Sequence, residues 1–401
     1  MKRILTFSLA YLPYLGGAEL AIQQLTDRIP DIEFHLVTLR FDSSWPKEEK
    51  IGNILVHRVG WGKRHTVASA TFTPRFYFSK VFFVPLAAAE GLRLHRANHF
   101  DGAWAMMSYM VFPIVLMRAL GARLPYAVTL QEGDTFERTF GRARIALFAP
   151  LLTYGFRRAS AVQAISRFLG EWARARGFEG PVEIIPNGVD GKKFSRGISA
   201  EERSALRKKY SLRESDTVLF TASRLVHKNG VDLVIRALSA LPFEVKFLIA
   251  GSGPERVALE VLVQELKLER RVVVAAQIDN AELPAHLHAS DIFIRASRSE
   301  GQGIAFIEAM AAGLPVVAPL VGGIRDFLFD AVKNPGQEPT GFAVEPESPQ
   351  SIAEVVQTIL ADQKAAARVA HRAQEMVLLN YDWDDLAKKM CDRVFAKLGH
   401  A

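Results

Sequence analysis

The feature that most constrains this chain is a repeated alternation of short apolar runs with longer amphipathic stretches. In the first half the runs fall at Arg3–Leu9, Glu33–Leu39, Leu55–Val59, Gly102–Ala105, Tyr126–Leu130 and Ala161–Ala164. A second series starts at Thr217–Ala222 and continues through Lys246–Ala250, Val272–Ala275, Ile292–Arg295 and Pro315–Ala318. Each run of the second series leads into a loop and a helical pattern, the signature of an α/β chain with parallel sheets. Two such series in succession predict two Rossmann-like doubly wound domains rather than one large sheet. The length of 401 residues points the same way, being too long for one ordinary core.

The expected boundary lies in Ile185–Lys193, where P-N-G-V-D-G gathers turn formers. The domains are therefore expected at residues 1–185 and 186–381. A helix over Ala200–Tyr210 leads into the second. A terminal helical segment within 382–401, patterned over Asp382–Leu398, is compatible with either domain, including a return to the first.

Composition narrows the function classes. Hydrophobic residues make up 49% and charged residues 23%, as in a soluble globular protein. A single cysteine, Cys391, excludes an intrachain disulfide and any multi-cysteine metal site, and fits a reducing, cytoplasmic compartment. The ten histidines are scattered, with His286 and His288 only two apart, so no metal is expected. The net charge of +7 is uneven: residues 1–180 carry 23 Lys/Arg against 14 Asp/Glu, and the remainder 27 against 29. A basic front half attracts anionic membrane, polyanionic acceptors or nucleic acid. No segment reaches the ~20 apolar residues that span a bilayer. The opening K-R-I-L-T-F-S-L-A reads as a buried first strand rather than a signal peptide, because it lacks a convincing small-x-small cleavage site and Pro13 and the G-G-A-E turn follow directly. Phe72–His95 is dense in Phe with interspersed Arg and Lys. It reads either as a core helix kinked at Pro85 or as an amphipathic, membrane-facing helix pair.

Four constellations carry chemistry. S-E-G-Q-G-I-A-F-I-E, Ser299 to Glu308, follows the run ending at Arg295 and opens a helix near Ile304. Gly301 and Gly303 would let backbone N–H groups, including those of Gln302 and Ile304, approach an anion at a helix N-terminus. Glu300 and Glu308 would accept hydrogen bonds from vicinal diols of one ligand. The bland alternative is a turn followed by an interior glutamate on a partly exposed helix. Second, Arg224 and Lys228 stand four apart in the loop after Thr217–Ala222, where two cations can hold a diphosphate. Third, Gly16 and Gly17 follow the first strand as a phosphate-approach turn. Fourth, Gly251 and Gly253 follow Lys246–Ala250 but fall short of a dinucleotide fingerprint, because Arg256 occupies the third glycine position.

In this order and spacing, the motifs resemble the retaining glycosyltransferases of the GT-B fold, glycosyltransferase family 4. The resemblance rests on Pro186-Asn187-Gly188-Val189-Asp190, the Arg224–Lys228 loop, Gly251-Ser252-Gly253-Pro254 and Glu300-x7-Glu308 with the E-A-M-A-x-G-x-P-V-V-A run. It covers nearly the whole chain and is strongest from Ile185 onward. It implies a nucleotide-diphospho-sugar donor held mainly by the second domain, in a cleft between domains. Arg224 and Lys228 would neutralise the diphosphate, with Gly16 and Gly17 bringing amides to it. Glu300 would hold hydroxyls of the transferred sugar and Glu308 the ribose, with Gly251, Gly253, Gly301, Gln302, Gly303 and Ile304 lining the donor. The family retains anomeric configuration without a divalent metal or other cofactor.

Two departures stand out. Relatives often carry a His after the strand matching Tyr126–Leu130; here the segment is L-Q-E-G-D-T. Gln131 or Glu132 occupies the histidine's neighbourhood, so that contact is either replaced or lost, and Gln131, Glu132 and Asp134 are expected on the acceptor side. Relatives also often place Lys five after the loop Arg, where this chain has Asn229.

The expectation is a retaining hexosyltransferase acting on a lipid-linked or glycan acceptor at the cytoplasmic membrane face, with no nucleic-acid partner. A soluble sugar or sugar-phosphate acceptor is the alternative within enzymes. A catalytically silent scaffold of the same fold and a dinucleotide-dependent oxidoreductase are the rivals from other classes.

Overall fold

The computed structural model describes residues 1–14, 16–62, 74–141 and 147–399, with 74–81 described by backbone alone. The chain divides into two compact units, residues 1–187 with 383–401, and residues 188–382.

The first unit holds β1 (Lys2–Phe7), β2 (Ile32–Leu39), β3 (Glu48–Ile51), β4 (Ile54–Val59), β5 (Gly102–Met106), β6 (Tyr126–Leu130), β7 (Ala161–Ala164) and β8 (Val182–Ile184). They form one sheet in the order β3-β4-β2-β1-β5-β6-β7-β8. All neighbours are parallel except β3 and β4, which pair antiparallel at the edge. The second unit holds β9 (Thr217–Ala222), β10 (Val245–Ala250), β11 (Val272–Ala275), β12 (Ile292–Ile294), β13 (Val316–Pro319) and β14 (Phe342–Val344). Its sheet is wholly parallel, in the order β11-β10-β9-β12-β13-β14. Both units are doubly wound.

The apolar runs of the second sheet are continuous because both faces are covered. Leu219, Phe247, Ile249, Ile292, Ile294 and Val317 enter one core. Their neighbours Val218, Phe220, Leu248, Phe293 and Val316 enter the core on the opposite face. This is the period-2 alternation of a strand with no polar side left to show.

The last helix, Trp383–Arg393, and the turn after it belong to the first unit. The Phe395 ring lies 5.1 Å from Trp104 and 5.7 Å from Phe34, both buried. Lys2 Nζ donates to the Phe395 carbonyl at 2.9 Å, and Arg28 pairs with Asp384 at 2.6 Å. Aromatic burial of this kind contributes more than the flanking surface ion pair.

The Phe-rich segment forms one helix, Pro74–Asn98, with Pro85 inside it, rather than a pair of helices. Phe83, Ala87, Ala88 and Leu94 are buried in the first core, whereas Phe82 is half exposed. Phe72 and Thr73, and the side chains of residues 74–81, lie outside the described residues.

Candidate functional site

In the second sheet the strand order reverses between β9 and β12, the position where open parallel sheets leave a crevice at their carboxyl ends. Three loops meet there, following β9, β10 and β12. Arg298 binds two of them together. Its guanidinium forks onto Asp232 at 2.8 and 2.9 Å, and Nη1 also donates to the His227 carbonyl at 2.7 Å. Its backbone N–H donates to the Lys228 carbonyl at 2.7 Å. A planar fork suits such bridging because several donors are fixed at once.

The β9 and β10 loops touch through main chain. Leu225 N–H donates to Ser252 O at 2.9 Å, and Glu255 N–H to Leu225 O at 3.0 Å. A Cβ on Gly251 would stand 1.9 Å from Ser223 O, and one on Gly253 2.2 Å from Leu225 O. These glycines are thus required by the neighbouring loop itself, a role the sequence reading did not assign to them.

Arg224 is exposed and Lys228 half-buried, and among the described residues neither side chain has a hydrogen-bond or ion-pair partner. Two cations in one strand-to-helix loop suit an anion chemically. Asn229 is buried, and its Nδ2 donates to the Arg224 carbonyl at 2.7 Å. It closes the loop that presents the cations.

Glu300 lies in the loop after β12. Its carboxylate Oε2 accepts from Arg295 Nη2 at 3.1 Å and from Ser297 Oγ at 3.4 Å. Gly301 and Gln302 are buried. Gly303, at φ +86°, is the N-cap of the helix Ile304–Ala311, whose first residue is half-buried. Apart from Glu308 that helix is apolar, and every residue from Ala305 to Ala311 is buried. It ends in a Schellman motif: Gly313, at φ +78°, donates to Met310 O at 2.9 Å, and Leu314 to Ala309 O at 3.1 Å.

Glu308 lies inside this helix, so the alternative of a partly exposed position is excluded. Burial pushes its carboxyl up to about 8, against the opposing charges of Lys193 and Arg295. Lys193 is anchored by donating to Asn280 O at 2.6 Å. Lys193, Asn229, Arg295 and Arg298 were not singled out as site residues by the sequence reading. For Arg295 the available signal was a cation ending an otherwise apolar strand.

In the first unit the sheet reverses between β1 and β5. Gly16 and Gly17 are exposed after β1, with Gly16 capping the helix Gly17–Asp27. Gln131, Glu132 and Asp134 follow β6. Glu132 is buried, and its two carboxylate oxygens accept from Ser108 N–H at 2.7 Å and Gln131 N–H at 2.9 Å. Burial raises its carboxyl above the usual range despite those bonds. It thereby joins the β6 loop to the turn after β5, where Met107 adopts φ +75°. Gln131 exchanges two hydrogen bonds with Asn187, at 2.9 and 3.1 Å. Asp134 sits 3.9 Å from Arg138 at the surface. The structure therefore gathers Arg224, Lys228, Gly251, Gly253, the Glu300–Ile304 turn and Glu308 in the second unit. It places Gly16, Gly17, Gln131, Glu132 and Asp134 in the first.

Among the described residues, no group of three or more His, Cys, Asp or Glu is placed to hold a metal ion, and no helix is long and apolar enough to cross a membrane.

Two doubly wound units, each with its loops at a switch point, define the GT-B class of fold. Over nearly their full lengths two solved structures share it. Sucrose-phosphate synthase from Thermosynechococcus elongatus aligns with a TM-score of 0.81 at 21% identity, over 99% of this chain and 100% of that one. Anabaena HepE, solved in complex with UDP and glucose, aligns at 0.77 and 21%, over 98% and 99%. Residues 16–188 match the family model of the glycosyl transferase 4-like domain, and residues 202–376 that of glycosyl transferases group 1. The chain belongs to that family of glycosyltransferases. The GDP-mannose-dependent alpha-(1-6)-phosphatidylinositol monomannoside mannosyltransferase of Mycobacterium tuberculosis is 31% identical over 258 residues, 61% of this chain and 64% of that protein. The matched segments span from about half to just under two thirds of the first curated relatives, 53% and 64% of their lengths.

Proposed function

We propose that this protein is a retaining, nucleotide-sugar-dependent hexosyltransferase that passes its sugar to a lipid-linked or glycan acceptor at the cytoplasmic membrane face. The observation that carries the reading is the β9–β12 switch point. There Arg224 and Lys228, without a side-chain partner among the described residues, share a locked set of loops with Glu300, and Glu308 lies on the helix that follows. A nucleoside diphosphate needs cations for its phosphates and acceptors for its ribose, and a sugar adds further hydroxyls. In this assignment Arg224 and Lys228 stabilise charge on the departing diphosphate, Glu308 accepts from ribose and Glu300 from the transferred sugar. Retention follows from attack on the face the diphosphate leaves, with a phosphate oxygen taking the acceptor proton. Such chemistry depends on positioning and charge stabilisation rather than on a strong protein base or a metal.

Membrane association is supported by the basic first half and by exposed Phe148, Leu151 and Tyr154 beside exposed Arg157 and Arg158. The mannosyltransferase relative named for phosphatidylinositol monomannoside supports a lipid-linked acceptor.

A screen of nucleotide-sugars, read by release of the nucleoside diphosphate, tests the donor. GDP-mannose and UDP-glucose come first, and absence of release from any donor, with or without lipid, would end the reading. Co-sedimentation with anionic vesicles at low salt tests the membrane half on its own.

A further inference from the structure

Arg295 sits at the end of β12, immediately before the loop that carries Glu300, and its side chain is 7% exposed. Two contacts fix it. Nη2 donates to Glu300 Oε2 at 3.1 Å, and the guanidinium carbon lies 4.4 Å from the centre of the Phe306 ring. Nη2 also lies 3.0 Å from where a Cβ on Gly303 would be. The guanidinium thus fills the space beneath the Glu300–Gly303 turn, stacked on a ring from the helix that the turn opens. Its Nε is buried and has no hydrogen-bond partner among the described residues.

A purely stabilising role explains this arrangement poorly. A buried guanidinium carries a desolvation cost that one hydrogen bond and one ring contact only partly offset. An apolar side chain of similar volume is often as stable or more so. What the arginine does achieve is directional. Glu300 Oε2 is held inward by Arg295 and Ser297, while among the described residues nothing donates to Oε1. One oxygen is tied down and the other is left to accept from a ligand, so the carboxylate meets that ligand in a single orientation.

We propose that Arg295 is a positioning residue for sugar recognition, acting through Glu300 rather than by touching the ligand. The proposal rests on the donor-site reading above. It separates the parts of the donor: the diphosphate and ribose are held by Arg224, Lys228 and Glu308, and only the sugar depends on the orientation of Glu300. Replacing Arg295 should therefore weaken binding of a nucleotide-sugar while sparing the bare nucleoside diphosphate.

The test is calorimetric titration of wild type, Arg295→Met and Arg295→Lys with UDP, UDP-glucose, GDP and GDP-mannose. Thermal unfolding verifies that each variant is folded. In the pair that wild type binds, Arg295→Met should lose about tenfold in affinity for the nucleotide-sugar, the scale of a charge-assisted hydrogen bond. The nucleoside diphosphate should stay within about twofold. Arg295→Lys retains the charge without the planar fork and should fall between, which also serves if the methionine variant does not fold. Equal losses for both ligands would overturn the proposal by showing general damage to the site. Unchanged nucleotide-sugar binding would overturn it while leaving the donor-site reading intact. If wild type binds none of the four ligands, the donor-site reading falls and this proposal with it.

Discussion

Asn229 Nδ2 donates to the carbonyl of Arg224 at 2.7 Å, so one residue of the cationic loop closes it while two others present charge. Burial of Asn229 makes an ammonium unwelcome at this position. Asn229→Lys is expected to cost about 1–3 kcal/mol of stability and to leave nucleoside diphosphate binding no tighter. Denaturant unfolding and titration of the folded variant with UDP and GDP check both parts. Tighter binding by the lysine variant would show that the loop can open to present a third cation.

Glu308 sets a pH dependence whose sign follows from its burial. Its carboxyl is raised from the ordinary 4.5 to about 8, so between those limits the folded chain holds a proton that the unfolded chain has released. The associated stability is complete below about 4.5 and is lost as pH rises through about 8. Glu308→Gln removes the titration, so its stability relative to wild type should grow steadily from pH 5 to pH 8. Parallel stability curves for the two proteins would show that Glu308 ionises normally.

The two glutamates should separate kinetically. Glu308→Ala is expected to raise KM for the donor with a smaller effect on kcat. Glu300→Ala should weaken nucleotide-sugar affinity by about tenfold and lower kcat by roughly a hundredfold, as removal of a group that holds the sugar in the ground state and more tightly in the transition state does. Steady-state kinetics on the donor found by the screen decides this, and full activity in both variants would remove the pair from the site.

Glu132 invites a prediction in the first unit. Its carboxylate satisfies the N–H groups of Ser108 and Gln131, and Glu132→Ala leaves both without an acceptor. A loss of about 2–5 kcal/mol is expected, with Glu132→Gln recovering part of it through one remaining oxygen. Amide hydrogen exchange at Ser108 reads the same bond locally and should accelerate in the alanine variant.

Sequence reading placed β9, β10, β11, β12 and β13 to within a residue or so, because strands covered on both faces leave long uninterrupted apolar runs. It missed β3, whose E-E-K-I alternates exposed and half-buried residues at an antiparallel edge. It also missed β8 and β14, each only three residues long. Glu300, Glu308, Arg224 and Lys228 were legible because their spacing from strand ends is a local property of the chain. Arg295, Arg298 and Asn229 were not, since each acts through a partner in another loop or through a carbonyl, and only folding brings those together. Gly251 and Gly253 were legible as glycines but not for their reason, which is a neighbouring backbone.

The first unit is interrupted: the chain leaves it at Asn187 and returns at Trp383. During synthesis its sheet must therefore wait for Phe395 and the last helix until everything from Gly188 to Asp382 has been made, roughly 10–40 s at usual ribosome speeds. Throughout that interval Trp104 and Phe34 lack the aromatic partner that covers them in the finished protein. The inserted unit, contiguous in sequence, can be completed first. Chaperone dependence of this chain should accordingly concentrate on the half that is translated earliest.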